Sequence, residues 1–152
     1  TTIKNLVEGN FKLHDAFLAE LLQVSPTVRN YYKVAEITGM QIRMVKEYKA
    51  AFQRFRAGNK FSSGELDYIA RVYAKLLGQS LRNLDELLIA ITDKKLRASD
   101  DERLKAIDQL HARMEEKLVF LRAFNSNVSV LAGQRAKAAH EANTLIHIQG
   151  LD

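Results

Sequence analysis

The sequence contains no cysteine and no tryptophan, one proline, and only seven glycines in 152 residues. The lack of cysteine excludes disulfides, thiolate metal sites and cysteine nucleophiles, although it leaves the redox compartment open. Because prolines and glycines are few, the chain has few turns, which argues against the many short strands of a sandwich or barrel. No apolar run approaches the ~20 residues that a membrane span needs. We therefore expect an all-α protein without a membrane span in this sequence.

The residue patterns that support catalysis or cofactor binding are also missing. There is no Gly-x-Ser-x-Gly elbow and no glycine-rich phosphate loop of the Walker or dinucleotide type. The nearest approach to a di-metal bundle site is Asp108 with His111, an acidic-x-x-His pair without a counterpart on another helix. We interpret this pair as a histidine at a partly buried position. The sequence predicts no catalytic residues, no metal and no cofactor, and a metal-dependent bundle enzyme is kept only as an alternative.

The dominant feature is a stretch from Ser99 to about Ile148 in which apolar or small residues recur at alternating steps of three and four. This seam consists of Leu104, Ile107, His111, Met114, Leu118, Leu121, Asn125, Val128, Ala132, Arg135, Ala139, Ala142 and Ile146. A second line beside it consists of Leu110, Phe124, Leu131, Ala138 and Leu145. The spacing is typical of coiled-coil packing, and one continuous helix here would measure roughly 70 Å, longer than a compact domain of this size is wide.

Local signals divide the chain into helices over about 2–24, 26–57, 63–92 and 100–148, which we assign to a single domain, 1–152. Serine before Pro26 separates the first two helices, and Gly58 with Asn59 ends the second. Two Ser-x-x-Glu sequences, beginning at Ser62 and Ser99, have the spacing of capping boxes at the starts of the next two helices. Short connectors make consecutive helices antiparallel. We expect an elongated antiparallel bundle of four helices, or of five if the last one bends between Asn125 and Gly133.

The second and third helices are each too short to cover the fourth, and flank only its first 30 or so residues. The inward positions predicted for the second helix are Tyr31, Val34, Ala35, Ile42, Val45, Tyr48, Phe52 and Phe55. Beyond Phe124 the last helix either folds back or continues, and we favour a continuous helix that packs on another helix. Its partner-facing residues are Val128, Leu131, Ala132, Ala139, Ala142, Leu145 and Ile146. Whether the partner is the first helix or a second chain is left open.

The second helix is also strongly basic. Residues 26–60 contain eight basic and two acidic residues. The formal net charge of this segment, 8 − 2 = +6, exceeds the +5 of the whole chain. A candidate contact face consists of Arg43, Lys46, Lys49, Arg54 and Arg56. Because aromatic residues alternate with these cations, the face could bind nucleic acid through phosphate contacts and base stacking. Alternatively, the aromatic residues fill the core and the cations face water, an anionic membrane or a partner protein.

Several segments of the sequence resemble a known family. They include Phe61-Ser-Ser-Gly-Glu-Leu-Asp-Tyr-Ile-Ala-Arg-Val-Tyr, Ser80-Leu-Arg-Asn-Leu-Asp-Glu-Leu, Ser99-Asp-Asp-Glu-Arg-Leu and Leu121-Arg-Ala-Phe-Asn. Over about Thr27 to Leu151 the chain resembles the conjugal transfer protein TraI family of Bacteroidetes conjugative transposons, which is distinct from the relaxase of the same name. The first predicted helix, from Thr2 to Val24, is not matched.

The resemblance implies a non-enzymatic component of a conjugative, type IV secretion-like apparatus, similar to helical minor-pilus components. It implies export by an N-terminal signal that this sequence does not contain, and hence a periplasmic or cell-envelope location. The partners would be other proteins of the apparatus or further copies of this chain. The alternative is a cytoplasmic helical nucleic-acid-binding accessory protein that uses the basic face.

Overall fold

The computed structural model describes residues 26–92 and 99–150, and within these ranges every regular element is a helix. A short helix α1 (Pro26–Arg29) precedes three long helices, α2 (Tyr32–Ala57), α3 (Ser63–Thr92) and α4 (Asp100–Ile148). The all-α class is confirmed. In the described ranges the bundle has three long helices rather than the expected four or five, and the helix predicted over 2–24 lies outside the described residues.

The ends of α3 and α4 follow the local capping chemistry. At the start of α3 the Ser62 amide donates to Glu65 Oε1 at 2.9 Å, and the Glu65 amide donates to Ser62 Oγ at 3.2 Å. Ser99 and Glu102 form the same reciprocal pair at the start of α4, with distances of 3.0 and 3.3 Å. Both boxes satisfy backbone amides that have no partner inside the helix. Helix starts at Ser63 and Asp100 are therefore as predicted.

The prediction of one helix over 26–57 is wrong at its beginning. The chain turns after α1, and Tyr31 is extended, with φ −65° and ψ 119°. The Tyr31 amide donates to the Val28 carbonyl at 3.2 Å, which closes this turn, and the Tyr31 hydroxyl donates to Asp108 of α4. Val28 is fully buried. The break therefore places Val28 in the core and directs Tyr31 toward α4. At the other end α2 stops as predicted, because Asn59 adopts the left-handed conformation, with φ 54°.

Helices α2 and α4 run parallel with a constant offset along the bundle. Three side-chain contacts that join α4 to α2 or to the turn directly after α2 connect residues that are 75 positions apart. These contacts are Glu36 with His111, Glu47 with Arg122, and Arg135 with the Lys60 carbonyl. Helix α3 runs in the opposite direction, because Glu86 contacts Arg113 whereas the earlier Glu65 contacts the later Arg135. Helix α4 thus packs against both other long helices and forms the centre of the bundle.

The core is an apolar column that follows α4. Its fully buried members include Met44 of α2, Tyr73, Leu77 and Leu84 of α3, and Met114 of α4. Around Tyr73 lies an aromatic cluster, with ring centroids at 5.5 Å to Tyr48, 5.8 Å to Phe52 and 5.6 Å to Phe124. Most aromatic residues of α2 therefore pack in the core. This agrees with the interpretation in which the aromatic residues of the basic helix fill the core and its cations face outward.

Helix α4 continues without a break through Asn125 and Gly133. The predicted seam is buried from Ile107 to Leu121, half-buried from Asn125 to Arg135, and exposed at Ala139, Ala142 and Ile146. The Asn125 side chain accepts a hydrogen bond from the Tyr73 hydroxyl at 2.5 Å, so this polar residue has a partner inside the bundle. The expected continuous helix is confirmed and the bend is excluded, and every residue of the helix from Ala136 onward is exposed.

Candidate contact surfaces

Arg135 is the last half-buried residue of α4 and lies where the other described helices end. Its guanidinium donates to both carboxylate oxygens of Glu65 at 2.9 and 2.7 Å, and to the Lys60 carbonyl at 2.8 Å. It also lies over the Phe61 ring, 5.3 Å from the centroid. Hydrogen bonds from Arg135 and from Ser62 lower the pKa of Glu65 to about 2. The bidentate pair therefore fastens α4 to the start of α3, and the bond to the Lys60 carbonyl fastens it to the turn before α3.

Beyond this anchor, the stretch from Ala136 to Ile148, which we call the overhang, extends about 20 Å at 1.5 Å per residue. Every residue of the overhang is exposed. Its large apolar side chains are Leu145, Ile146 and Ile148, which are 58%, 42% and 75% exposed. Such a series of uncovered aliphatic side chains on one short helix segment is typical of a protein contact surface.

The structure places the seven predicted partner-facing residues in two groups. Ala139, Ala142, Leu145 and Ile146 lie on the overhang. Val128 and Leu131 instead line an apolar cavity of about 470 Å³ at the base of the overhang, together with Phe61 and Tyr68. Ala132 lines a smaller neighbouring cavity of about 220 Å³. The predicted surface is thus an apolar hollow at the base of α4 followed by an exposed apolar helix.

The five predicted basic residues are all exposed, but the fold does not bring them onto one face. Lys49 and Arg56 point toward α3, where they line a groove. Arg54 lines the small cavity that faces Ala132 of α4. At 100° per residue, Arg43 lies on the same side of α2 as Arg54, and Lys46 lies between the two groups on the outer side.

The groove between α2 and α3, which we call the α2–α3 groove, encloses about 1180 Å³. Its α2 wall carries Lys49, Phe52 and Arg56, and its α3 wall carries Asp67 and Arg71. The Arg56 guanidinium lies 5.5 Å from the Phe52 ring centroid. The sequence reasoning missed Arg71, and an antiparallel pairing of the two predicted helices would have placed it opposite Lys49. The groove therefore collects three cations and one carboxylate.

Asp108 and His111, the acidic-x-x-His pair of the sequence, form hydrogen bonds and ion pairs with residues before and in α2. Asp108 accepts a hydrogen bond from the Tyr31 hydroxyl and contacts Lys33 Nζ at 3.1 Å, and these contacts lower the pKa of Asp108. His111 Nε2 lies 2.5 Å from a carboxylate oxygen of Glu36. In residues 26–92 and 99–150, no group of three or more histidine or acidic side chains could hold a metal ion.

No protein-family model matches the chain, and searches of curated proteins and of solved structures found no significant match. Within the described ranges, no helix combines the length and apolar character needed to cross a membrane. The structure therefore defines the class as an all-helical protein whose described part is a three-helix bundle with a projecting C-terminal helix.

Proposed function

We propose that this chain is a non-enzymatic assembly protein that pairs with a second copy of itself through the overhang, as a structural component of a conjugative DNA-transfer apparatus in the cell envelope. The observation that carries the proposal is the continuity of one seam. The same steps of three and four that pack α4 into the bundle continue through Ala139, Ala142 and Ile146, where the seam is exposed.

The overhang is suited to another helix because its seam side is apolar and small. Ala139 and Ala142 allow two backbones to approach closely, while Leu145 and Ile146 supply apolar area. The charged side chains of the overhang, Lys137 and Glu141, are 4.0 Å apart and lie on the opposite side of the helix. A partner helix on the seam therefore desolvates no charge of the overhang.

A second copy is favoured because the hollow and the projecting side chains lie on the same helix. In an antiparallel pair centred between Ala138 and Ala139, Ile146 of one copy lies level with Leu131 of the other. Each copy then inserts apolar side chains beside the cavity at the base of its partner, as a two-fold, self-complementary interface requires. Fully burying an aliphatic side chain contributes about 1.5–3 kcal/mol, so contributions from both copies are needed to offset the cost of association.

The role in DNA transfer rests on the resemblance of about Thr27 to Leu151 to the conjugal transfer protein family named above. The elongated all-helical shape of the described part agrees with a component that acts through protein contacts. In the conjugation system that encodes this chain, a variant unable to pair is expected to fail to restore transfer.

The pairing is tested with two single-charge variants and light scattering. Ala139→Glu places a charge at the centre of the pair and is expected to give a monomer. Thr144→Glu adds the same charge on the opposite side of α4, 140° around the helix from Ala139, and is expected to leave the dimer intact. Both positions are exposed, so neither variant should unfold the bundle. A monomeric parent protein, or equal effects of the two variants, would contradict the proposal.

The chain has no cysteine, so the direction of pairing can be read from introduced ones. Ala132→Cys and Ile146→Cys chains of different mass are mixed and oxidised. Antiparallel pairing is expected to give the mixed disulfide, whereas parallel pairing gives only the two symmetric products. If the overhang binds a different protein and the chain does not self-associate, the proposed second copy is wrong and that protein is the partner of the overhang.

A further inference from the structure

The α2–α3 groove brings three cations together with a single carboxylate, Asp67, and none of the ion pairs among the described residues joins that carboxylate to them. The Tyr48 and Tyr73 rings are 5.5 Å apart across this antiparallel pair, so Lys49 and Arg71 lie at the same level on opposite walls. In the described part of the chain neither forms an ion pair with a carboxylate. Like charges on facing walls repel each other, and an anion between them would offset this repulsion.

Arg56 extends the cationic surface along the same wall. It lies seven residues beyond Lys49, which corresponds to about 10 Å along the helix. Its guanidinium is held over Phe52, so it is positioned before any ligand arrives. Asp67 is the groove's acidic residue, and none of the ion pairs among the described residues joins it to these cations.

We propose that the α2–α3 groove binds the backbone of single-stranded nucleic acid, with phosphates held by Lys49, Arg56 and Arg71. Arginine suits phosphate because its planar fork donates two parallel hydrogen bonds. The groove is larger than the 300–1,000 Å³ typical of a small-molecule pocket, and a strand passing along it contacts cations in series. The stacked Arg56 guanidinium also offers a flat surface to a base.

This site is separate from the overhang, so the two proposals can fail independently. Arg43 and Arg54, which the sequence grouped with the groove cations, lie on the other side of α2 and do not contribute. They therefore supply charge-matched controls on the same helix. The dimer-breaking variant Ala139→Glu is expected to bind nucleic acid as the parent protein does, measured per chain.

Binding is measured by fluorescence anisotropy with a labelled single-stranded oligonucleotide of mixed sequence, from about 50 to 200 mM salt. Each phosphate contact contributes about −0.7 to the slope of log affinity against log salt. Arg71→Ala is therefore expected to reduce the magnitude of the slope by about 0.7 and to weaken binding about fivefold near 0.1 M salt. Arg43→Ala removes the same charge and should change affinity less than twofold. Asp67→Asn should strengthen binding.

The competitors identify the ligand class. Unlabelled single strand is expected to displace the probe, whereas inorganic phosphate at the same phosphate concentration and polyglutamate of equal charge are not. No binding at low salt, or equal losses for Arg43→Ala and Arg71→Ala, would overturn the proposal. Displacement by polyglutamate as effective as by the oligonucleotide would reassign the groove to an acidic protein segment, and displacement by inorganic phosphate would reassign it to a small anion.

Discussion

The hydrogen bond between Tyr73 and Asn125 gives the sharpest test of how α3 and α4 are held together. Tyr73 is fully buried, and its hydroxyl donates to Asn125 Oδ1 at 2.5 Å. Asn125 is half-buried, near the middle of the longest helix. Asparagine has poor helix propensity, and we attribute its presence at this seam position to the hydroxyl opposite.

Single substitutions should be costly, and the double substitution should not. Tyr73→Phe removes the donor, and because the amide oxygen of Asn125 can still reach water, we expect a loss of about 1 kcal/mol. Asn125→Leu leaves the buried hydroxyl without its partner, at a cost of about 1–3 kcal/mol, reduced by about 0.5 kcal/mol through better helix propensity. In the double variant no unpaired group remains, so its stability should lie within about 1 kcal/mol of the parent.

Urea unfolding of the four proteins, followed by far-ultraviolet circular dichroism, completes the double-mutant cycle. We expect a coupling energy of about 1–2 kcal/mol with unchanged dependence of the unfolding free energy on urea. If the two single losses simply add in the double variant, the hydroxyl and the amide are not energetically coupled. The explanation of Asn125 would then be wrong.

Four further predictions concern pH and stability. Burial raises the pKa of Tyr48 to about 12, so on raising the pH the unfolded chain loses the hydroxyl proton before the folded chain does. The free energy of unfolding should therefore fall between pH 10 and 12, and it should fall less steeply in Tyr48→Phe. The lowered pKa of Glu65 means stability should fall as pH drops from about 4.5 toward 2, and Arg135→Ala should reduce that fall. Ser99→Ala should cost about 1 kcal/mol through the lost cap. Met114→Ala should cost about 2–5 kcal/mol because the side chain is fully buried.

Each of these has a control measured by the same urea titration. A Tyr48→Phe protein as sensitive to alkali as the parent would contradict the tyrosine assignment. An acid response unaffected by Arg135→Ala would show that the anchoring pair is unimportant. Exposed substitutions in α4, Ser129→Ala and Val119→Ala, should each change stability by less than about 0.5 kcal/mol. Losses at Ser99 or Met114 no larger than these would refute the cap or the packing argument.

The ends of the helices were predictable where their chemistry is local. Ser62 and Ser99 each satisfy an amide three residues away, so the sequence alone reveals both helix starts. The break before α2 was not predictable in this way. It is accompanied by the contact of Tyr31 with Asp108, 77 residues further along the chain, which no local pattern reports.

The buried face of α2 was predicted only in part. Tyr48 and Phe55 are buried as expected, whereas Ala35 and Ile42 are exposed, and the core instead takes Ile37 and Met44. Apolar residues occur nearly all around this helix, so periodicity does not determine which side faces inward. Packing on α4 determines it, through contacts such as those of Glu36 and Glu47.

The α4 seam shows the opposite case, because its regular spacing favoured a continuous helix and the lengths of the neighbouring helices predicted how far that helix would be covered. The short second and third helices implied that only about 30 residues of α4 would be flanked, and burial ends at Arg135. The basic residues were harder to place. Their number was evident, but the division between two sides of α2, and the contribution of Arg71, depend on how α2 and α3 face each other.

Helix α4 has no hinge or kink: one continuous helix passes from the bundle into the overhang, and it is unbroken even at Gly133. Whatever grips its far end is thereby set at a fixed distance and angle from the bundle. Deleting one residue such as Ala136 would turn everything beyond it by about 100° and shorten the rod by 1.5 Å, facing a different surface outward. Inserting seven residues would lengthen the helix by about 10 Å and turn its end by only about 20°. The number of residues in α4 therefore sets both the distance and the orientation of its far end relative to the bundle.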